Sequence, residues 1–236
     1  MSRRSHGRSK RRPPWWVLYP QSYDELILAL SAQPQLRLTE MAGKQIIRGR
    51  FNVIVDGKRF DGFRVRIELP ETYPRALPIL FLTENRIPHI PDRHVNSKKG
   101  DTCLYVPEEW LAIRPDTTFA QWLQLPVRNY FLAQRYFEEH GRFPPNGERQ
   151  HYAAGMIDAY AEVLETSTEI KKMHYLLRVL AAKNSKGHWQ CPCGSQRIVR
   201  KCCRDIIHIK RETLNRKTAR LMLKKLKEHI ESKKPK

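Results

Sequence analysis

Hydrophobic positions change their spacing along this chain, and the changes divide it into segments. Tyr23, Leu26, Ile27 and Leu30 recur three or four apart, the period of one helical face. They follow Ser22-Tyr-Asp-Glu25, which reads as a capping box: the serine accepts from the backbone three residues on while the glutamate reaches back. Pro34 closes the segment. From Leu36 to Thr83 the runs LRL, QIIRGRFNVIV, KRFDGFRVRIEL and PILFLT are short, β-rich and alternating. Asp56-Gly57, between two of them, tolerates the positive φ of a tight hairpin turn. Residues 36–83 are therefore expected to form an antiparallel meander of about four strands, since too little chain separates them for parallel crossovers.

Periodicity then lapses from Glu84 to Thr118, a stretch holding Pro88, Pro91, Pro107 and Pro115. A loop of this length inside a compact domain is usually functional or disordered. Its apolar content (Ile87, Ile90, Leu104, Tyr105, Trp110, Ile113) argues against disorder. Helical spacing resumes in TTFAQWLQLPVRNYFLAQRYFEEH, with Thr117 or Thr118 as N-cap and Gly141 as terminator. A second helical stretch covers 151–182 with a break near 166–168, and 184–187 links it onward. The last segment, 209–232, reads as one basic helix with Leu214, Leu221, Leu223, Leu226 and Ile230 on its apolar side. No internal repeat is visible. The expected class is α+β.

Charge alters this picture at the two ends. The 236 residues carry a formal net charge of +20. Residues 1–12 contribute +6 and residues 197–236 contribute +11, leaving +3 for everything between. Basic ends either attract RNA, other polyanions or an acidic partner, or are simply solvated tails. No apolar run approaches the ~20 residues of a membrane span, and PPWWVLYP is too short and proline-flanked for a signal peptide. The expectation is a cytoplasmic protein, without membrane contact, whose cysteines are reduced.

Five cysteines make the candidate chemistry. Cys103 stands alone in KKGDTCLYVPEEW, and by itself admits three readings: a buried core thiol, a metal ligand or a nucleophile. Cys191, Cys193, Cys202 and Cys203 form C-x-C-x8-C-C. Four thiolates complete a tetrahedral zinc shell and leave no position for substrate, so one structural Zn²⁺ is expected there. His188 and His208 are substitute ligands, and a pair of disulfides is the alternative in an oxidising compartment.

The order of elements resembles the ubiquitin-conjugating-enzyme fold over roughly 36–140: an N-terminal helix, a four-stranded antiparallel meander, a long loop with one cysteine, and C-terminal helices. Asp61-Gly-Phe63 is similar to that family's glycine-aromatic entry to the third strand, and the P-x-x-Y-P-x-x-x-P run from Pro70 to Pro78 to its link into the fourth. His94-Val95-Asn96 resembles its His-Pro-Asn tripeptide, and Gly100, Cys103, Leu104, Trp110, Pro115 and Thr118 fit its active-site region. The chain departs from the pattern at Val95, and six residues rather than seven separate Asn96 from Cys103. CPCGS with KCC resembles the SEC-C zinc motif. Divergent bacterial members of the conjugating family occur in ubiquitin-like pathways, including antiphage-defence operons with a cyclic-nucleotide synthase.

The resemblance implies that Cys103 receives, as a thioester, the C-terminus of a ubiquitin-like modifier or of a target protein with a C-terminal glycine. A separate activating enzyme would deliver it, because no glycine-rich phosphate loop is present. It implies further that Asn96 supports the oxyanion, a role worth ~2.7–4 kcal/mol where measured. His94 would shape the loop or act as a base. The segments expected are a basic disordered tail at 1–14, a conjugating-like domain at 15–183, a zinc module at 186–208 and a basic amphipathic helix at 209–236. A catalytically silent member of the fold, serving as a zinc-dependent RNA- or protein-binding adaptor, is the alternative.

Overall fold

The structure, a computed structural model, describes residues 13–41, 44–145, 150, 152–184 and 186–233. The basic tail expected at 1–14 lies almost wholly outside the described residues. The chain is mixed α+β, with one four-stranded antiparallel sheet and several helices. It divides into two compact units interleaved along the sequence. The first comprises 1–89, 96–102 and 118–129; the second comprises 90–95, 103–117 and 130–236.

In the first unit, α1 (Trp15–Leu18) and α2 (Pro20–Ser31) precede the strands β1 (Leu36–Met41), β2 (Lys44–Val55), β3 (Lys58–Glu68) and β4 (Ile79–Leu82). They pair in sequence order, as the alternation predicts. Asp56 and Gly57 both take positive φ (48° and 72°), so Val55 meets Lys58 across a two-residue turn. Alternate side chains, among them Ile47, Phe51, Val53, Phe63, Val65 and Ile67, are buried with Leu26 of α2. The capping box at Ser22 does not form. The helix begins at Pro20, with Tyr19 at its N-cap, because proline at the first position has its φ preset and lacks an N–H that would go unpaired anyway.

Residues 100–102 lie along β4: Asp101 bridges Phe81, Leu82 N–H donates to Gly100 O (3.3 Å), and Thr102 N–H donates to Leu80 O (2.8 Å). The long loop thus covers an edge that would otherwise present open backbone groups. Thr118 caps α4 (Phe119–Trp122) through a full capping box with Gln121. Pro126 is accommodated by a π turn over Leu123–Val127, in which Arg128 N–H reaches back five residues to Leu123 O.

The second unit is helical. It holds α3 (Pro107–Ile113), most of α5 (Arg128–His140), α6 (Tyr152–Leu164), α7 (Ile170–Ala181), α8 (Arg204–Thr213) and α9 (Arg216–Ser232). Its core joins Tyr160 and Leu164 of α6, Met173, Leu177 and Leu180 of α7, and Ala219, Met222 and Leu226 of α9. Two arginines serve the open carbonyls at the end of α7: Arg220 Nε donates to Ala181 O (3.2 Å) and Arg211 Nη2 to Ala182 O (2.7 Å).

The single helix expected over 209–232 is two. Asn215 Oδ1 accepts from Thr218 N–H (2.9 Å), a cap that ends the helical run and starts α9. The apolar face shifts accordingly: Leu226 is buried, Leu221 is 37% exposed, and Thr218, Ala219 and Met222 take the inner positions.

Candidate functional site

Cys103 is exposed, so the buried-thiol reading does not hold. A main-chain bond joins it to the predicted histidine: Cys103 N–H donates to His94 O (2.8 Å). His94 ends the 3-10 turn Pro91–Arg93 in the left-handed region (φ 52°, ψ 41°), a conformation open to histidine more readily than to branched residues. Its N–H closes that turn onto Pro91 O (2.7 Å), and Val95 N–H closes the next onto Ile90 O (3.2 Å). The His94 ring meets Phe143 edge-on, with centroids 5.3 Å apart.

Three residues that the sequence analysis did not single out hold this turn. Arg93 is buried (8% exposed), and its Nε donates to Gln134 Oε1 (2.7 Å). Gln134, fully buried on α5, returns a bond from Nε2 to Arg93 O (2.9 Å), and the Tyr130 hydroxyl donates to the same carbonyl (3.2 Å). The guanidinium lies over the Phe137 ring, 4.2 Å from its centroid. Burial lowers the arginine's pKa and raises that of Tyr130, so the phenol stays protonated as a donor. No sequence pattern announces this cluster, because its members are 37 and 41 residues apart.

Asn96 belongs to the first unit. It opens a tight turn: its N–H donates to Asp101 O (2.8 Å), its carbonyl accepts from Gly100 N–H (2.7 Å), and its Oδ1 accepts from Lys98 N–H (3.0 Å). Its side-chain oxygen thus helps to hold the turn. Gly100 has φ 73° and a Cβ there would lie 3.2 Å from His89, so the turn suits glycine on both counts. Trp110, in α3, donates from Nε1 to Thr117 Oγ1 (2.9 Å) and stacks on Tyr105 at 5.2 Å between centroids.

The other four cysteines converge. Sγ atoms of Cys191, Cys193, Cys202 and Cys203 all lie within 4.8 Å of one another, the one such metal-competent group among the described residues. Individual separations are 3.4 Å for Cys193–Cys191, 3.5 Å for Cys193–Cys202 and 3.7 Å for Cys202–Cys203. A tetrahedral Zn–S bond of ~2.3 Å would set sulfurs ~3.8 Å apart, so the four thiols fit a metal ion of that size.

Local folding explains the convergence. Gln190 and Ile198 bridge as a short hairpin, Cys191 N–H donates to Arg197 O (2.8 Å), and Gly194 N–H turns back to Cys191 O (3.3 Å). Cys202 and Cys203 follow the 3-10 turn Val199–Lys201, and Cys203 is the N-cap residue of α8. The Ser195 hydroxyl lies 3.1 Å from Cys202 Sγ, and Arg197 Nη2 donates to the same sulfur at 3.4 Å. Such outer contacts offset the negative charge of a four-thiolate shell. The Ser195 hydroxyl brings the Cys193 thiol down to about 6 and lowers Cys202, while burial pushes Cys191 and Cys203 up. His208 Nε2 lies 3.4 Å from Glu212 Oε1 and is not part of the cluster.

No helix among the described residues is long and apolar enough to cross a membrane. No protein-family model, curated protein or solved structure matches the chain.

Proposed function

We propose that this protein is a ubiquitin-conjugating-like acyl carrier of a bacterial pathway, with Cys103 as its thioester nucleophile. The observation that carries the reading is an exposed thiol whose N–H is fixed to His94, while the remaining four cysteines are gathered in a separate cluster. The resemblance of the sheet, the His94-Val95-Asn96 tripeptide and the Cys103-Leu104 pair to the conjugating family supplies the reaction.

In that reaction the Cys103 thiolate attacks the thioester carbonyl of a modifier held by an activating enzyme. A new C–S bond forms, the old one breaks, and the enzyme's thiolate departs. A target amine then attacks the same carbonyl, the Cys103–acyl bond breaks, and the amine's proton leaves to water. The resemblance to the conjugating family gives Asn96 the role of donor to the developing oxyanion. His94 acts through its backbone as the seat of the thiol, which favours the loop-shaping role over that of a base. The cysteine cluster takes structural Zn²⁺, and a ubiquitin-like system of the antiphage-defence type, working in the cytoplasm, is the setting the resemblance suggests.

Intact-mass analysis of the chain, isolated from its host in acid without reductant, tests the reading. We expect a heavier species that thiols discharge. Cys103→Ser should abolish it or turn it into a thiol-resistant ester. An unchanged thiol-labile species in the variant would refute the assignment.

A further inference from the structure

Helices α7 and α9 lie side by side and antiparallel. Lys227 of α9 acts on His174 of α7, and seven residues toward the other end Arg220 bonds the Ala181 carbonyl. On α7, Lys171, His174, Tyr175 and Arg178 fall three or four apart and share the outer face. On α9, Arg220, Lys224 and Lys227 do the same, with Glu231 beyond them at one end. All of these are exposed except His174, which is half-buried between the two rows.

Two features separate this face from an ordinary solvated helix surface. Its cations are mostly uncompensated: the neighbouring carboxylates pair elsewhere, Glu169 with Lys172 (2.9 Å) and Glu228 most closely with Lys225 (3.0 Å), leaving Lys224 at 3.9 Å. The α7 row also carries an aromatic ring, Tyr175, 48% exposed and with the Arg178 guanidinium 5.8 Å from its centroid. The field is felt locally. Burial first, then the charges of Lys227 and Arg178, hold the His174 imidazole below its ordinary value.

We propose that the α7–α9 face binds single-stranded nucleic acid, its cations taking phosphates and Tyr175 taking a base on its ring. Positive rows that track a backbone, with an aromatic platform among them, are how such strands are held without regard to sequence. An anionic membrane would call for a face of large aliphatic and aromatic side chains, whereas these rows hold a single such side chain, Tyr175, among cations. The proposal does not rest on the thioester reading.

Fluorescence anisotropy of the full-length chain with a labelled oligouridylate of about 20 nucleotides tests it. Binding should weaken steeply between about 50 and 200 mM salt. The double variant Arg178→Glu, Lys227→Glu should bind at least ~10-fold more weakly and lose about 2 from the salt slope. Tyr175→Ala should bind about 10-fold more weakly with the slope unchanged. The exposed pair Lys58→Glu, Arg59→Glu, on the β2–β3 turn of the other unit, changes net charge equally and should leave affinity near wild type.

Helical circular dichroism confirms that the surface variants are folded. Absence of wild-type binding at low salt overturns the proposal, as does equal loss in the Lys58/Arg59 control. If polyglutamate displaces the RNA at matched charge and Tyr175→Ala has no effect, the face reads charge alone and an acidic protein surface replaces nucleic acid as its partner.

Discussion

Gln134 has no exposed surface, donates to the Arg93 carbonyl and accepts from Arg93 Nε, so one amide holds both ends of the residue before His94. Replacing it with leucine leaves a buried guanidinium and a carbonyl short of partners. Such losses cost about 1–3 kcal/mol each, and Gln134→Leu should lower the urea midpoint by an amount in that range. Gln134→Glu should cost less, because a carboxylate still accepts from Arg93 while it cannot donate to the carbonyl. A variant no less stable than wild type would show that the turn is held by Tyr130 and the backbone alone. These residues were invisible in the sequence for a physical reason. A buried glutamine and a buried arginine look like surface residues until the partner 41 positions away is known. The exposure of Cys103 was legible, by contrast, because its neighbours Lys98, Lys99 and Asp101 make the loop around it polar.

Elements were legible where local chemistry leaves no choice. Asp56-Gly57 dictates a two-residue turn, Thr118 with Gln121 dictates a helix start, and Gly141, at φ 68°, ends α5. They were misread where two signals compete. Pro20 starts α2 two residues ahead of Ser22, and Asn215 interrupts a run whose charges and leucines look continuously helical. Asn215→Ala removes the acceptor for Thr218 N–H and should destabilise the second unit by ~1 kcal/mol, read by chemical denaturation. The cysteine cluster also belongs to this scale, since its thiols come from the 190–198 hairpin and from the residues leading into α8. Atomic emission should find a zinc-to-chain ratio near one. Cys203→Ser should lose the metal and lower the unfolding temperature, because binding energy at such sites is folding energy. A metal-free wild type with the same melting point would remove zinc from the account.

At the scale of the whole molecule, the basic ends read from the sequence divide in two. The part at 1–12 lies outside the described residues. The part beyond 197 belongs to a packed unit whose core includes Val199, Ile207, Met222 and Leu226. Only a minority of its cations meet α7 to make one continuous surface. The antiparallel approach of α7 to α9, on which that surface depends, arises from tertiary packing and no spacing rule encodes it. Truncation after Lys183 should leave Met173, Leu177 and Leu180 without Ala219, Met222 and Leu226 above them. The truncated chain should be cut rapidly by trypsin within α7, where the intact chain resists.

The interleaving of the two units carries a consequence for synthesis. The chain passes between them at 89/90, 95/96, 102/103, 117/118 and 129/130, so neither unit is a continuous stretch that can be completed before the other begins. Once residue 129 has emerged, every segment of the first unit exists. The unit that contains Cys103 must still wait for α9, which ends at Ser232. At translation rates of ~5–20 residues per second, that is a delay of roughly 6–26 s after Cys103 itself is made. The proposed nucleophile is thus made well before the unit that contains it is complete.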